Sequence, residues 1–393
     1  FMIVIAGKND IAIHGLLLAI EYFNLDEIIV ITNKNDLGVN SWQQSLFKVA
    51  TEQGVVIKSL NEVYNSKIDY FISLEFDQIV KPEKFSTENL YNIHFSKLPK
   101  YKGMYTSVWP ILFGDKETGV TLHKIDCGID TGDIVAQKIF GLTKSDRSQD
   151  CYRKYIENSK QLLSDWFKKI IDGKIAPSNQ AAIGASYYST KTIDYANLEI
   201  DFNKTAWQIQ RQVYAFSFRP YQLLNFNKKE VTDVVITEQK STSSPGTITL
   251  KHNDYTLVST IDYDIKFYFD RLSDLLEEIP VISVKRFSEC IVNILGVNDR
   301  NEKGWSPIIV AAYHGRKDLI EFLIKNGADI NDKNYRGTTV LMYAKYFSIK
   351  NRNNEFFTYL IKLGANPALK DWSGKTICDY VTTEQIRFLG LQC

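Results

Sequence analysis

The sequence predicts a mixed α/β protein: a doubly wound α/β domain first, a small antiparallel β subdomain next, and an array of α-helical repeats at the C-terminal end. Three observations predict it. Short β-branched runs alternate with amphipathic stretches from Met2 to about Lys174. Four strand-like runs separated by Ser/Pro/Gly and Asn/Asp turns lie between Glu230 and Phe269. From Gly304 onward a glycine-punctuated pattern recurs at a spacing of 33 residues. At about 100 to 200 residues per domain, the 393 residues make two or three domains, and the expected division is 1–202, 203–280 and 281–393.

In the first part, Met2 to Ala6 reads as a buried strand, Ile11 to Phe23 as a helix and Glu27 to Thr32 as the next strand. Strand, helix, strand implies a parallel sheet with crossover helices, a Rossmann-like arrangement. Ser41 to Thr51 is expected as a second helix; Val55 to Ser59, Tyr70 to Ser73, Tyr91 to His94 and Val120 to His123 are expected as strands. The turn after the first strand, Gly7 to Ala12, is not Gly-x-Gly-x-x-Gly, and no Gly-x-x-x-x-Gly-Lys-Ser/Thr occurs, which disfavours dinucleotide and P-loop sites. Residues 175–202 read as a connecting segment, Thr205 to Tyr214 as a helix ended by Arg219 and Pro220, and Val231 to Phe269 as the β subdomain.

The repeat begins at Gly304, runs through Pro307 to Ala312 and Gly315, and closes on Gly327, Ala328 and Asp329. A second copy runs from Gly337 to Ala344 and closes on Gly364, Ala365 and Asn366. The opening glycines are 33 residues apart and the closing ones 37, which places a four-residue insertion in Ser348 to Asn354. A third copy starts at Gly374, and Val284 to Leu295 reads as a capping helix. The pattern resembles the ankyrin unit, whose period is about 33 residues.

Composition narrows the function classes. With 47 basic and 46 acidic residues the net charge is near +1, so bulk attraction to nucleic acid or to an anionic membrane is not expected. Five cysteines, without a C-x-x-C pair, fit neither a disulfide framework nor a zinc site; the expectation is unpaired thiols, no metal and a cytoplasmic location. The N-terminal apolar run lacks the basic head and length of a secretory signal, and no run reaches the roughly 18 apolar residues of a spanning helix.

The chemistry concentrates between Asn92 and Asp133. Alternation along a strand points Asn92 and His94 to one face, at the carboxyl end where open α/β sheets place ligands. Asp126 to Asp133 holds three acids and two glycines, a loop whose backbone can approach a flat ligand. An amide donor, an imidazole and a carboxylate together suit acyl transfer to an amine. Asn92 and a charged His94 would stabilise the oxyanion, while Asp130 would hold the imidazolium and relay the proton.

These residues resemble the folate-dependent formyltransferases, whose core reads N-x-H-x-S-x-L-P-x-Y-x-G with a later D-x-G. Here the match is Asn92, His94, Ser96, Leu98, Pro99, Tyr101 and Gly103, then Thr118 to Thr121 and Asp130 to Ile134; Phe95 and Lys97 stand where many relatives have proline and leucine. The resemblance implies a catalytic trio of Asn92, His94 and Asp130, with N10-formyltetrahydrofolate as formyl donor. Ser41 to Leu46 resembles the branch acting on sugar nucleotides, and the ankyrin array points within it to dTDP-3-amino-3,6-dideoxyglucose of O-antigen (lipopolysaccharide) synthesis. Folate contacts are then expected at Ser73, Glu75, Phe76, Asp77, Ile79, Gly128, Ile129 and Asp133.

A diphosphate asks for cations and thymine for an aromatic plate, which selects Lys8, Asn9, Lys102, Tyr105, Arg219 and Tyr221. Relatives dimerise through the β subdomain, so a homodimer is expected. Trp305, in the variable place of the first repeat turn, is expected to stack on a base or partner, against the plainer reading of packing on the cap helix. His14, His123, His252 and His314 have no matching company and read as structural. Competing functions are a 4-amino-sugar formyltransferase, a methionyl-tRNA formyltransferase, and an ankyrin interaction protein with an inactive α/β portion.

Overall fold

A computed structural model describes residues 1–219 and 221–393; Pro220, expected to end a helix, lies outside the described residues. Contacts divide the chain into two units, Phe1–Leu198 with Tyr214–Phe216, and Glu199–Val213 with Ser217–Cys393.

The first unit is built on a seven-stranded sheet. Its elements are β1 (Ile3–Gly7), α1 (Asn9–Tyr22), β2 (Ile28–Thr32), α2 (Leu46–Glu52), β3 (Val56–Ile57), α3 (Leu60–Tyr64), β4 (Tyr70–Leu74), β5 (Leu90–His94), β6 (Lys102–Gly103), α4 (Trp109–Leu112), β7 (Glu117–Lys124), β8 (Ile134–Gly141), α5 (Ser148–Ile171) and β9 (Tyr187–Tyr188). The sheet order is β3-β2-β1-β4-β5-β7-β8. From β3 to β5 all pairings are parallel, as expected, and each of β1, β2 and β4 is buried along nearly its whole length. β7 and β8 run antiparallel, a departure from the all-parallel expectation. The connection from β5 to β7 contains only the four-residue α4, too little helix to carry a parallel crossover. One face buries Val4, Ala6, Ile29, Ile31, Val63 and Phe71; α1 and α5 pack together, α1 against β1 and β4 and α5 against β7 and β8.

The expected helix from Ser41 is shorter than its sequence pattern. Asp36 accepts the Ser45 hydroxyl at 2.5 Å and the Phe47 amide at 3.0 Å, and Asn40 accepts the Ser45 amide at 2.9 Å. These bonds hold Ser41 to Ser45 in turns, and Ser45 then caps α2 through the Lys48 amide.

The second unit begins with most of α6 (Ala206–Ala215) and continues in β10 (Asn225–Phe226), β11 (Lys229–Lys240), β12 (Ile248–Lys251), β13 (Tyr255–Val258) and β14 (Tyr263–Phe269), an antiparallel sheet ordered β10-β11-β14-β13-β12. Register shifts in β11 curl it. Helices follow: α7 (Leu272–Glu278), α8 (Val284–Cys290), α9 (Pro307–Tyr313), α10 (Lys317–Lys325), α11 (Val340–Lys350), α12 (Asn354–Lys362) and α13 (Thr383–Leu389). The pairs α9/α10 and α11/α12 are the two full repeats around a core that includes Phe287, Ile308, Leu319, Leu341, Phe357 and Leu360. The insertion lengthens the first helix of the pair, seven residues in α9 and 11 in α11. Against the expectation of unpaired thiols, Cys378 and Cys393 form a disulfide; Cys127, Cys151 and Cys290 are free.

Candidate active site

β5 delivers two of the expected residues. Asn92 sits opposite Ser73 of β4 on one side and opposite His123 of β7 on the other. His94, two residues on, shares its face and is buried at 8% exposure. Its Nε2 donates to the Tyr101 carbonyl at 2.8 Å, and its Nδ1 lies 3.4 Å from Asp130 Oδ2.

Asp130 arrives from the loop after β7 in the left-handed backbone conformation, φ 54°. Its Oδ2 accepts the Gly103 amide at 2.9 Å and its Oδ1 lies 3.5 Å from Asn92 Nδ2. Amide, imidazole and carboxylate therefore meet. Burial opposes ionisation of Asp130, but its neighbours, the His94 ring foremost and the Gly103 amide among them, outweigh it and hold the carboxyl well below the usual carboxylate range. A group held ionised in this way is suited to orient the His94 ring beside it.

Two residues of this site carry no motif. His123, read as structural, lies 3.1 Å from Asn92 Nδ2 and 3.6 Å from Asp130 Oδ1. Gln180 donates to the carbonyls of Asp130 and Gly132, both at 2.8 Å, and so pins the loop from the connecting segment. Only the pairing register of β5 with β7 would have exposed His123, and nothing in the sequence marks Gln180.

The remaining candidates divide. Ser73 is buried within the sheet. Glu75 turns its carboxylate to Tyr152 of α5, whose hydroxyl lies 2.8 and 2.9 Å from its two oxygens and also receives Gln43 at 2.9 Å. Burial pushes the Glu75 carboxyl up to about 7, against the Lys8 charge and the Tyr152 and Asn9 hydrogen bonds. Phe76 packs edge-on against Phe71, Asp77 accepts the Lys34 amide at 3.2 Å, and Ile79 is exposed. Gly128 and Ile129 are exposed, with the Gly128 amide held by Asp126, and the Asp133 carbonyl accepts the Lys124 amide.

Lys8 and Asn9 follow β1, where Asn9 lies 3.4 Å from the Tyr152 hydroxyl. Lys102 belongs to β6, and the Tyr105 hydroxyl donates to the Thr190 carbonyl at 3.0 Å. Arg219 and Tyr221 belong to the other unit. Arg219 is clasped by Asp270 at 2.8 Å and Asp299 at 3.0 Å, so its charge is already met and it is no spare phosphate ligand. Trp305 is not bare: its indole donates to the Tyr343 hydroxyl at 2.9 Å, Lys303 lies over its ring at 5.1 Å, and it packs against the repeat core. Among the described residues no group of three or more His, Cys, Asp or Glu is arranged to hold a metal ion, and no helix is long and apolar enough to cross a membrane.

Residues 58–166 match the formyl transferase family, 192–268 the formyl transferase C-terminal domain, and 282–371 ankyrin repeats in three copies. An N-formyltransferase from Helicobacter canadensis, solved in complex with folinic acid and dTDP-3-aminofucose, is 39% identical over 68% of this chain and 100% of its own, with a TM-score of 0.63. WlaRD, a sugar 3N-formyl transferase solved in the presence of dTDP and 5-N-formyl-THF, is also 39% identical, over 68% of this chain and 97% of its own, with a TM-score of 0.62. The chain belongs to the sugar N-formyltransferases. A more distant relative of this N-formyltransferase is the methionyl-tRNA formyltransferase of Malacoplasma penetrans (strain HF-2), 26% identical over 317 residues, 77% of this chain and 95% of the relative.

Proposed function

We propose that the enzyme moves the formyl group of N10-formyltetrahydrofolate to the C3 amino group of a dTDP-linked amino-dideoxy sugar, with dTDP-3-amino-3,6-dideoxyglucose as first candidate. Its product would enter O-antigen synthesis. The observation that carries the reaction is the meeting of Asn92, His94 and the ionised Asp130 at the carboxyl end of β5. The sugar and the C3 position are supported by the two 39% identical relatives, one solved with dTDP-3-aminofucose and one described as a 3N-formyl transferase.

In the proposed step the uncharged sugar nitrogen bonds to the formyl carbon and the formyl oxygen becomes anionic. Asn92 donates an N–H to that oxygen, and the charged form of His94, turned by Asp130 and the Tyr101 carbonyl, faces the same charge. The bond from carbon to N10 then breaks, and the proton lost by the attacking nitrogen ends on N10. We further expect a homodimer through the β subdomain, where Val235, Leu250 and Tyr263 are exposed, acting in the cytoplasm.

The test is mass spectrometry of reactions containing N10-formyltetrahydrofolate and a panel of dTDP-3-amino and dTDP-4-amino sugars. A formyl mass gained on a 3-amino sugar is the expected result; gain only on a 4-amino sugar moves the position. The methionyl-tRNA relative keeps one other substrate in the panel, charged initiator tRNA, and its formylation instead would overturn the sugar reading. A net charge of +1 weighs against that outcome.

A further inference from the structure

Formyl transfer as proposed needs the NH2 end of the Asn92 amide at the reacting oxygen, because only an N–H stabilises an oxygen that turns anionic. The two ends of an amide are nearly the same size, so a neighbour has to choose between them. His123 is placed to do this. It stands directly opposite Asn92 in the β5/β7 pair, and its ring is 2% exposed, so water does not compete.

The ring's tautomer follows from its own strand. Nδ1 lies 2.7 Å from the Lys124 carbonyl oxygen, an atom that can only accept, so Nδ1 carries the hydrogen. In this Nδ1–H tautomer the ring offers a lone pair at Nε2, 3.1 Å from Asn92 Nδ2. That lone pair accepts an N–H and repels a carbonyl oxygen. Asp130 Oδ1 lies farther from the same ring nitrogen, at 3.6 Å, and farther from the amide, at 3.5 Å.

We propose that His123 is a positioning residue for formyl transfer, resting on the reading above. Its Nδ1–H tautomer takes one hydrogen of the Asn92 amide and leaves the second, loosely held toward Asp130, for the formyl oxygen. The role belongs to the ring's acceptor and not to its bulk, so an acceptor of another shape substitutes for it.

Two measurements test this on the full-length chain. In the 15N-histidine-labelled enzyme the expected imidazole pattern for His123, assigned by its loss in His123→Gln, is a protonated Nδ1 and a bare Nε2. A proton on Nε2 overturns the proposal, and no substrate is involved. In kinetics with N10-formyltetrahydrofolate and dTDP-3-amino-3,6-dideoxyglucose, His123→Leu is expected to lower kcat about tenfold or more with little change in either KM, less than the roughly hundred- to thousandfold of a lost donor. His123→Gln, whose Oε1 can accept the Asn92 hydrogen, recovers most of that loss. Unchanged kcat in a folded His123→Leu protein, or a Gln variant as slow as the Leu variant, overturns it. Where the Leu variant does not fold, the Gln variant decides: near-wild-type kcat supports the proposal and a tenfold loss overturns it. A wild-type chain that formylates neither an amino sugar nor charged initiator tRNA overturns the transfer reading and with it this role, whatever the ring's tautomer.

Discussion

The catalytic edge of the α/β unit and the repeat array use the left-handed backbone in opposite ways. Around the sheet end it falls on the side-chain-bearing residues Asn9, Glu75, Tyr101, Tyr105 and Asp130, with φ between 54° and 63°, besides Gly7 and Gly103. In the repeats it falls on Gly304, Gly315, Gly327, Gly337, Gly364, Gly374 and Gly390, with Arg352 as the exception among the described residues. A side chain in this region costs of order 1 kcal/mol, and glycine avoids the cost. The array thus follows local preference at nearly every turn, while the site keeps side chains where the backbone resists them. Strain retained beside a buried imidazole and an ionised carboxylate marks where geometry matters more than stability.

The largest expected effect breaks the functional side of this contrast. Asp130→Asn keeps the size and the φ but removes the charge that turns His94, and kcat for formyl transfer is expected to fall about a hundred- to thousandfold, a barrier increase of roughly 3 to 4 kcal/mol. Steady-state kinetics alongside a melting curve checks it. Unchanged turnover in a folded variant would remove Asp130 from the machinery.

The same change of backbone type predicts a different loss in the array. A Cβ at Gly315, φ 69°, would lie within 2.2 to 2.5 Å of the Phe347 ring. Gly315→Ala is expected to destabilise the second unit by about 2 kcal/mol, read as a lower melting temperature, with turnover below that temperature unaffected. A variant that melts like wild type would show that the array absorbs such strain as the site does.

This contrast also decides what was legible in the sequence. Repeat glycines recur in phase because each must open or close a turn, so Gly304 and Gly337 announce the array, and the wider spacing of Gly327 and Gly364 announces its insertion. Asn92 and His94 were legible because strand alternation and a motif both point to them, and Asp130 because the motif points to it. His123 was not, since its meaning depends on lying opposite Asn92 in an antiparallel pair, whereas the alternating pattern implied parallel strands only. The short α2 was misread for a similar reason: Asp36 and Asn40 compete for backbone groups from outside the periodic window. The Cys378–Cys393 disulfide was invisible because only the fold brings their Cα atoms to 5.7 Å.

A third prediction sharpens the comparison through pH. The Glu75 carboxyl, at the strained edge, is raised from 4.5 to about 7 by burial. Below about pH 4.5 it is protonated both folded and unfolded and has no effect. As pH rises from there to about 7 the unfolded chain releases the proton while the folded one keeps it, so stability falls; above 7 the loss is constant. Glu75→Gln cannot ionise and escapes this loss. Its melting temperature relative to wild type is expected to rise across that window and level off above it. Parallel curves would mean that Glu75 ionises as freely in the fold as in the unfolded chain.

The smallest expected effect concerns the exception in the array. Arg352 is exposed in the turn after α11, its φ is 48°, and its amide bonds to the Ile349 carbonyl, a bond that any residue can make. If strain in this protein is kept only where function needs it, nothing offsets the cost here. Arg352→Gly gives up no side-chain contact of note and relieves the backbone, though glycine also widens the unfolded ensemble, which returns part of the gain. The net expectation is a stabilisation of about 0.5 kcal/mol, seen as a small rise in melting temperature with turnover unchanged. A drop in stability would mean that the arginine side chain earns its place at that turn, and that the array, like the sheet end, holds at least one strained residue for a purpose.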